Sequence, residues 1–349
     1  MKTKIVKIDK ENINESLIRE AASLIKEGKL VAFPTETVYG LGANGLDEDA
    51  IIKIFNAKGR PQDNPLILHI HSIEQLLPLV EEVPEIAHQC IKNFWPGPLT
   101  MLFKRSSLVP DMITAGLETV AIRMPDHKIA LELIKESNTP IAAPSANLSG
   151  KPSPTTAEHV IEDLSGKVDM IIDGGNTGVG LESTVLDLSG DIPMILRPGG
   201  VTLEDLRQFI PNVLQDLGTI KEGEGIIPKS PGQKYRHYAP KAEMIVYIGD
   251  VQNIVERIKE KASEFIEKGQ RVGIIATEET KESYKEGLIK VVGSRNHKET
   301  IARNLFHIIR GFDGEDVDII LAEGVEKDHI GMAIMNRMMK ASGGKIIKA

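Results

Sequence analysis

Apolar positions recur at helical spacing from Ser16 to Glu27 and stop at Gly28, which predicts a helix closed by a glycine. Leu30 to Phe33 is a short apolar run ended by Pro34, the mark of a strand. The stretch PTETVYGLGANGL that follows reads as a loop, where Gly40, Gly42 and Gly45 let the backbone turn sharply or approach a ligand closely. Asp47 is placed to cap a helix over Glu48 to Ala57. Further strands are predicted at Leu66 to His71, Leu99 to Phe103, Thr119 to Arg123, Ile141 to Ala143, Met170 to Asp173, Ser183 to Asp187 and Met194 to Arg197. Helices are predicted near Ile73 to Val80, Pro84 to Phe94, Lys128 to Ser137, Thr156 to Leu164 and Leu203 to Phe209. Strands and helices mixed in this way, several joined by hairpin-like connections, indicate an α+β or α/β layer on a mixed sheet rather than a regular parallel one.

Periodicity lapses between about 212 and 242, where glycine and proline suggest a linker. Its subsegment SPGQKYRHYAPK is basic and aromatic, unlike a solvated tether, so an ordered segment is expected. From Glu243 the alternation is cleaner: MIVYIGD as strand, VQNIVERIKEKASEFIEKG as helix, RVGIIAT as strand, a helical stretch to about Glu286, LIKVVG as strand, TIARNLFHIIRGFDG as helix, VDIILAEG as strand and a helical end. That order predicts a smaller, Rossmann-like parallel α/β domain. No G-x-G-x-x-G follows its first strand, so a dinucleotide is not expected there. Asn336, Arg337 and Lys340 near the end read as the exposed face of a helix, with a binding surface as the alternative. The expected division is 1–212, a linker or lid over 213–242, and 243–349; a chain of 349 residues favours two cores over one.

Composition narrows the class. With 41% hydrophobic and 26% charged residues, neither a disordered nor a membrane protein is suggested, and no run approaches the ~20 apolar residues of a spanning helix. The segment MKTKIVKIDKENINES has lysines without a following apolar stretch, so no secretory signal is expected and a cytoplasmic location follows. Cys90 is the only cysteine, which excludes an internal disulfide and paired-cysteine metal sites; its amphipathic surroundings predict a buried, unreactive thiol. A net charge of −8 opposes nucleic-acid binding through the whole surface while leaving room for a local basic cleft.

Common catalytic motifs are absent, including the Walker phosphate loop, H-E-x-x-H and the G-x-S-x-G elbow. Three segments instead concentrate polar chemistry near strand ends. In KGRPQDNP, Lys58 and Arg60 would point the same way on an extended chain and share one anion, or form a solvated surface pair. In PSANLSGKPSPT, the hydroxyls and amides of Ser145, Asn147, Ser149 and Ser153 suit phosphate and ribose oxygens, or turns and helix caps. The third is LESTV followed by LRPG, with Arg197 before a Pro-Gly turn. His69 and His71 alternate along one strand and so cannot chelate a metal together.

Taken together, FPTETVYGLG at 33–42, KGRPQDNPLILH at 58–69, AIRMPDH at 121–127, APSANLSGKPSPT at 143–155, LESTVLD at 181–187 and LRPGG at 196–200 closely resemble the threonylcarbamoyl-AMP synthase family, built on the YrdC-type domain. The linker SPGQKYRHYAPK and the C-terminal region place the resemblance in its long, two-domain branch. The resemblance implies condensation of L-threonine, bicarbonate or CO2 and ATP to threonylcarbamoyl-AMP with release of pyrophosphate. The product would pass to a separate tRNA threonylcarbamoyl transferase complex, which modifies the adenosine next to the anticodon.

By that resemblance Lys58 and Arg60 are the catalytic cations. Arg60, Asn64, Ser145, Ser153 and Arg197 contact ATP, with Thr119 and Asn147 close by. Thr37, His69, Arg123, the Ala143 backbone and Ser183 surround threonine, Arg123 facing its carboxylate. Tyr238 or Tyr235 would close over the nucleotide as a lid, and Mg2+ would arrive on the ATP phosphates rather than on protein ligands. The carbamate oxygen of threonine is the nucleophile in such a reaction, so no enzyme nucleophile is needed. The demand is for positive charge, since two unit anions ~4 Å apart repel by about 4 kcal/mol at an effective dielectric near 20. A double-stranded-RNA-binding module is the alternative, because a domain of this type has a basic concavity. A hydrogenase-maturation carbamoyltransferase would need cysteine clusters that a chain with Cys90 alone does not carry.

Overall fold

The computed structural model describes residues 2–216 and 237–349. These form two compact units, one from 2–149 and 153–216, the other from 150–152 and 237–349. Tyr235 and most of the expected linker lie outside the described residues.

Eleven strands of the first unit form one mixed sheet among the described residues. Their order is Lys4–Lys7, Met170–Asp173, Val31–Phe33, Gly40–Asn44, Ile141–Ala142, Ile67–His69, Thr119–Arg123, Leu99–Lys104, Thr184–Asp187, Met194–Arg197 and Leu214–Gln215. Period-two alternation assigns the two faces. Val31 and Phe33 pack with helices Glu15–Lys26 and Lys128–Ser137 on one side, while Ala32 joins the larger core on the other. Toward the other edge, Leu68, Ile122, Met101 and Leu186 point into that larger core. Their alternates Ile67, Ala121, Leu102 and Val185 gather only a small cluster with Leu196, so this part of the reverse face is where polar side chains stand.

The glycine-rich stretch expected to be a loop contains the strand Gly40–Asn44, antiparallel to Val31–Phe33 and to Ile141–Ala142. Its glycines serve close packing, since none of Gly40, Gly42 and Gly45 has the positive φ of a sharp turn. A Cβ added at Gly42 would stand 2.8 Å from the Phe33 ring and 2.9 Å from Ile141. Gly42→Ala is therefore expected to destabilise the unit by about 1–3 kcal/mol. A urea midpoint equal to that of the wild type would contradict this.

The second unit is a parallel sheet in the order Leu288–Val291, Val272–Ala276, Ile319–Glu323, Glu243–Ile248 and Ile346–Lys348, as its alternation predicts. Two details differ. The stretch expected to be helical up to Glu286 makes only a short 3-10 turn, Lys281–Ser283, and the chain's end adds an edge strand after its last helix. The expectation of an exposed face at Asn336, Arg337 and Lys340 is also corrected. Helix Ile330–Ala341 has ten of its twelve residues buried, these three included. The Arg337 guanidinium donates to Asn336 Oδ1 at 3.0 Å and lies 5.9 Å from the Tyr238 ring, which explains how a charge is accommodated there. No helix among the described residues is long and apolar enough to cross a membrane.

Candidate active site

Sheet register collects the first group of polar residues. His69 pairs with Arg123, Arg123 with Thr100, Thr100 with Val185, and Val185 with Arg197 beyond a bulge. Directly paired residues on neighbouring strands point to the same face, so His69, Arg123 and Thr100 stand side by side above the small apolar cluster. Thr119 shares that face, four residues or about 13 Å along the strand from Arg123.

Arg123 is buried, and its guanidinium is held on three sides. Nε donates to the Gly97 carbonyl at 3.1 Å, Nη1 to Thr37 Oγ1 at 2.9 Å, and Nη2 is paired with Glu36 Oε1 at 2.6 Å. The loop bearing Glu36 and Thr37 is fixed by its backbone, whose carbonyls accept from Val179 N and Gly180 N, and by a 2.9 Å Thr35–Thr37 hydroxyl contact. A fixed guanidinium beside hydroxyls on a strand-end loop is suited to grip a carboxylate.

His69 is buried next to this charge. Desolvation first, and the Arg123 charge second, push its pKa down to about 3, so its ring is neutral at pH 7. Burial also lowers His127 to about 4, against the opposing pull of Glu36. A histidine whose folded pKa is depressed contributes stability that is present above its unfolded value near 6.5 and is lost as pH falls. For His69 that loss reaches about 2 kcal/mol by pH 5. The difference in stability between pH 7 and pH 5 is expected to shrink in His69→Gln; an unchanged pH dependence would contradict it.

The second group is built by helix Glu48–Lys58. The extended arrangement expected for Lys58 and Arg60 does not form, because Lys58 ends this helix and Gly59 turns the chain in the left-handed region at φ 62°. Lys58 is instead buried and reaches the other polar segment. Its Nζ donates to the Ser145 carbonyl, to the Asn147 carbonyl at 2.5 Å and to Asn147 Oδ1 at 3.4 Å. Ser145 Oγ donates to the same Asn147 Oδ1 at 2.5 Å, and the Lys58 carbonyl accepts from Ser149 N. One ammonium thus fixes the Ser145–Asn147 turn. That turn lies against Gly40 through a bridge between Gly40 and Ser145.

A third group surrounds Ser183. Its hydroxyl contacts Thr100 Oγ1 at 2.7 Å and accepts from Arg197 Nη2 at 3.2 Å, while Arg197 Nε donates to the Ser183 carbonyl at 3.1 Å. Next to it, the Glu182 carboxylate accepts from the Ser153 hydroxyl. Arg60 donates to the Asn64 and Pro65 carbonyls of its own loop, and Asn64 is buried with its Oδ1 making no hydrogen bond. The Ala143 N–H is taken by the Ile67 carbonyl. Tyr238 belongs to the second unit, where its ring packs 5.0 Å from Phe306.

Register and hydrogen bonds therefore join Thr37 to Arg123, His69 to Arg123, Thr100 to Arg123 and Ser183, Ser183 to Arg197, and Lys58 to Ser145 and Asn147. Sequence reasoning passed over Glu36, Thr100 and Glu182. Thr100 was legible only through register, and Glu36 only as the middle of P-T-E-T. Cys90 is buried, and desolvation raises its pKa to about 11, as befits a structural thiol.

The described residues thus form a mixed-sheet unit with buried cations and small hydroxyl loops near its strand ends, followed in the chain by a parallel α/β unit. The family model described as telomere recombination, of the Sua5, YciO and YrdC type, matches residues 23–199. A second, described as the threonylcarbamoyl-AMP synthase C-terminal domain, matches 201–343. The threonylcarbamoyl-AMP synthase of Pyrococcus abyssi is 54% identical over 340 residues, covering 97% of this chain and 98% of its own. That of Bacillus subtilis is 51% identical over 342 residues, covering 97% of each. The crystal structure of Pyrococcus abyssi Sua5 complexed with L-threonine superposes with a TM-score of 0.95 at 53% identity, covering 99% of this chain and 100% of that one. The chain belongs to the threonylcarbamoyl-AMP synthase family, a family of nucleotidyltransferase-type enzymes.

Proposed function

We propose that this chain condenses L-threonine, bicarbonate or CO2 and ATP to threonylcarbamoyl-AMP and pyrophosphate, supplying a cytoplasmic tRNA threonylcarbamoyl transferase complex. The observation that carries this is the buried Arg123 guanidinium, fixed beside Thr37, His69 and Thr100 on a strand end, in a chain that matches named synthases along its whole length.

Arg123 takes the α-carboxylate of threonine, with Thr37, His69, Ser183 and the Ala143 backbone around the side chain and amine. Arg197, Arg60, Asn64 and Ser153 bind the nucleotide, with the Ser145–Asn147 turn that Lys58 fixes and Thr119 beside it. Preorganised cations let the carbamate oxygen approach the α-phosphorus, and pyrophosphate departs. The side chains of the Ser145–Asn147 turn are hydroxyls and amides held by an ammonium, a set that suits phosphate oxygens rather than a metal. Mg2+ accordingly belongs on the triphosphate, where it supplies charge neutralisation. Residues 1–212 are the catalytic domain, 213–242 the linker, and 243–349 the second domain.

The test is incorporation of labelled bicarbonate into an adenylate. Label should appear only with threonine, ATP and Mg2+ together, with stoichiometric pyrophosphate. Salt-sensitive RNA binding without any ATP turnover would favour the RNA-binding module instead.

A further inference from the structure

Glu36 is a partly buried residue whose two carboxylate oxygens are shielded from solvent, and it stands beside the residue assigned to the substrate's carboxylate. Its Oε1 is paired with Arg123 Nη2 at 2.6 Å. Both of its oxygens are buried and make no hydrogen bond, and the ion pair with Arg123 is made through Oε1. A buried carboxylate oxygen left without a donor costs about 1–3 kcal/mol or more, so its persistence calls for a partner that arrives with the ligand.

An α-amino acid is such a partner. Its carboxylate and ammonium hang on one carbon and stand roughly 3 Å apart. With the carboxylate on Arg123, the ammonium falls within reach of the anion that already touches Arg123, and the four charges alternate in sign. Glu36 is paired with Arg123 and acts by charge on His127, which burial keeps neutral near pH 7. Lys10 acts on His127 by charge alone. The ammonium is therefore the charge that completes Glu36.

We propose that Glu36 receives the threonine ammonium through Oε2 and takes one proton from it, releasing the free amine that attacks CO2. The N–H bond breaks toward Oε2, and the freed lone pair forms the N–C bond while one C=O electron pair moves to oxygen. The second proton passes from nitrogen to solvent water to give the carbamate, and Glu36 returns its own to solvent, so that two protons are released for each carbamate formed. This inference rests on the threonylcarbamoylation reading above.

Glu36→Gln keeps the shape and an acceptor for Arg123 but cannot take the proton. Its kcat/KM for threonine is expected to fall about 100-fold at pH 7. Because only pre-deprotonated threonine would then react, the variant's kcat/KM should rise roughly tenfold per pH unit above 7, while the wild type stays nearly flat. A loss that runs parallel to the wild-type pH profile, or no loss, would overturn the role. Should the variant not fold, 2,3-dihydroxybutanoate tests the wild type, since it replaces the ammonium by a hydroxyl. It is expected to bind about 100-fold more weakly than threonine, and equal binding would sink the inference. Wild-type enzyme that forms no threonylcarbamoyl-AMP would instead defeat the underlying function, so the two failures are distinguishable.

Discussion

Arg123→Ala is expected to lower threonine-dependent pyrophosphate release by about 10³-fold and to destabilise the first unit as well. Both effects have one cause. The guanidinium holds Gly97, Thr37 and Glu36 together, and its removal leaves the Glu36 carboxylate buried without its counter-charge. Breaking one side of such a pair typically costs about 3–5 kcal/mol. Arg123→Lys separates the two, since a lysine restores charge to Glu36 but lacks the planar fork that reaches three acceptors at fixed angles. The lysine variant should recover most of the stability, measured by urea unfolding, while kcat/KM for threonine stays at least about 100-fold down. Full activity in either variant would remove Arg123 from the threonine site.

The second large effect is expected at Lys58. Lys58→Ala removes the donor shared by the Ser145 and Asn147 carbonyls, so a buried turn loses its anchor. The turn carries the hydroxyl and amide assigned to phosphate, so kcat/KM for ATP should fall about 10²–10³-fold. The affinity for threonine should change only a few-fold, because Lys58 holds the Ser145 and Asn147 carbonyls whereas Arg123 is held by Gly97, Thr37 and Glu36. Isothermal titration with threonine alone, set beside ATP-dependent turnover, reads both quantities. Equal losses toward the two substrates would mean that Lys58 holds the whole unit together rather than the phosphate turn.

Lys58 also shows where local sequence reasoning stops. Extended geometry would pair it with Arg60, yet Glu48–Lys58 runs as a helix to the lysine itself and Gly59 turns the chain in the left-handed region. What brings Lys58 to Ser145 is a contact across 87 positions, which no short-range periodicity carries. The strand Gly40–Asn44 was hidden for a related reason. Glycine lowers strand propensity, and only the proximity of Phe33 and Ile141 shows why side chains are excluded there. Edge strands Lys4–Lys7 and Ile346–Lys348 are three or four residues long, too short for alternation to register.

Strongly periodic elements were legible. Helix Lys128–Ser137 and strand Thr119–Arg123 form over the residues expected, and the parallel order of the second sheet follows its alternation. At the candidate site, the residue types were visible as motifs, and the resemblance grouped them. Their mutual contacts were not visible, because the threonine group is assembled by register across four strands. Positions 336, 337 and 340 are the opposite case: polar side chains on a helix are expected to face water, whereas this helix has ten of its twelve residues buried.

Threonine's carboxylate is expected on Arg123 and the ATP phosphates on the turn fixed by Lys58, within reach of one another. A crystal structure with L-threonine and a non-hydrolysable ATP analogue tests it most directly. The expected result is a carboxylate bonded to Arg123, an ammonium on Glu36 Oε2, and an α-phosphorus close enough for a carbamate oxygen to attack. A threonine bound away from Arg123, or a triphosphate that makes no contact with residues 145–147 and Arg197, would contradict it.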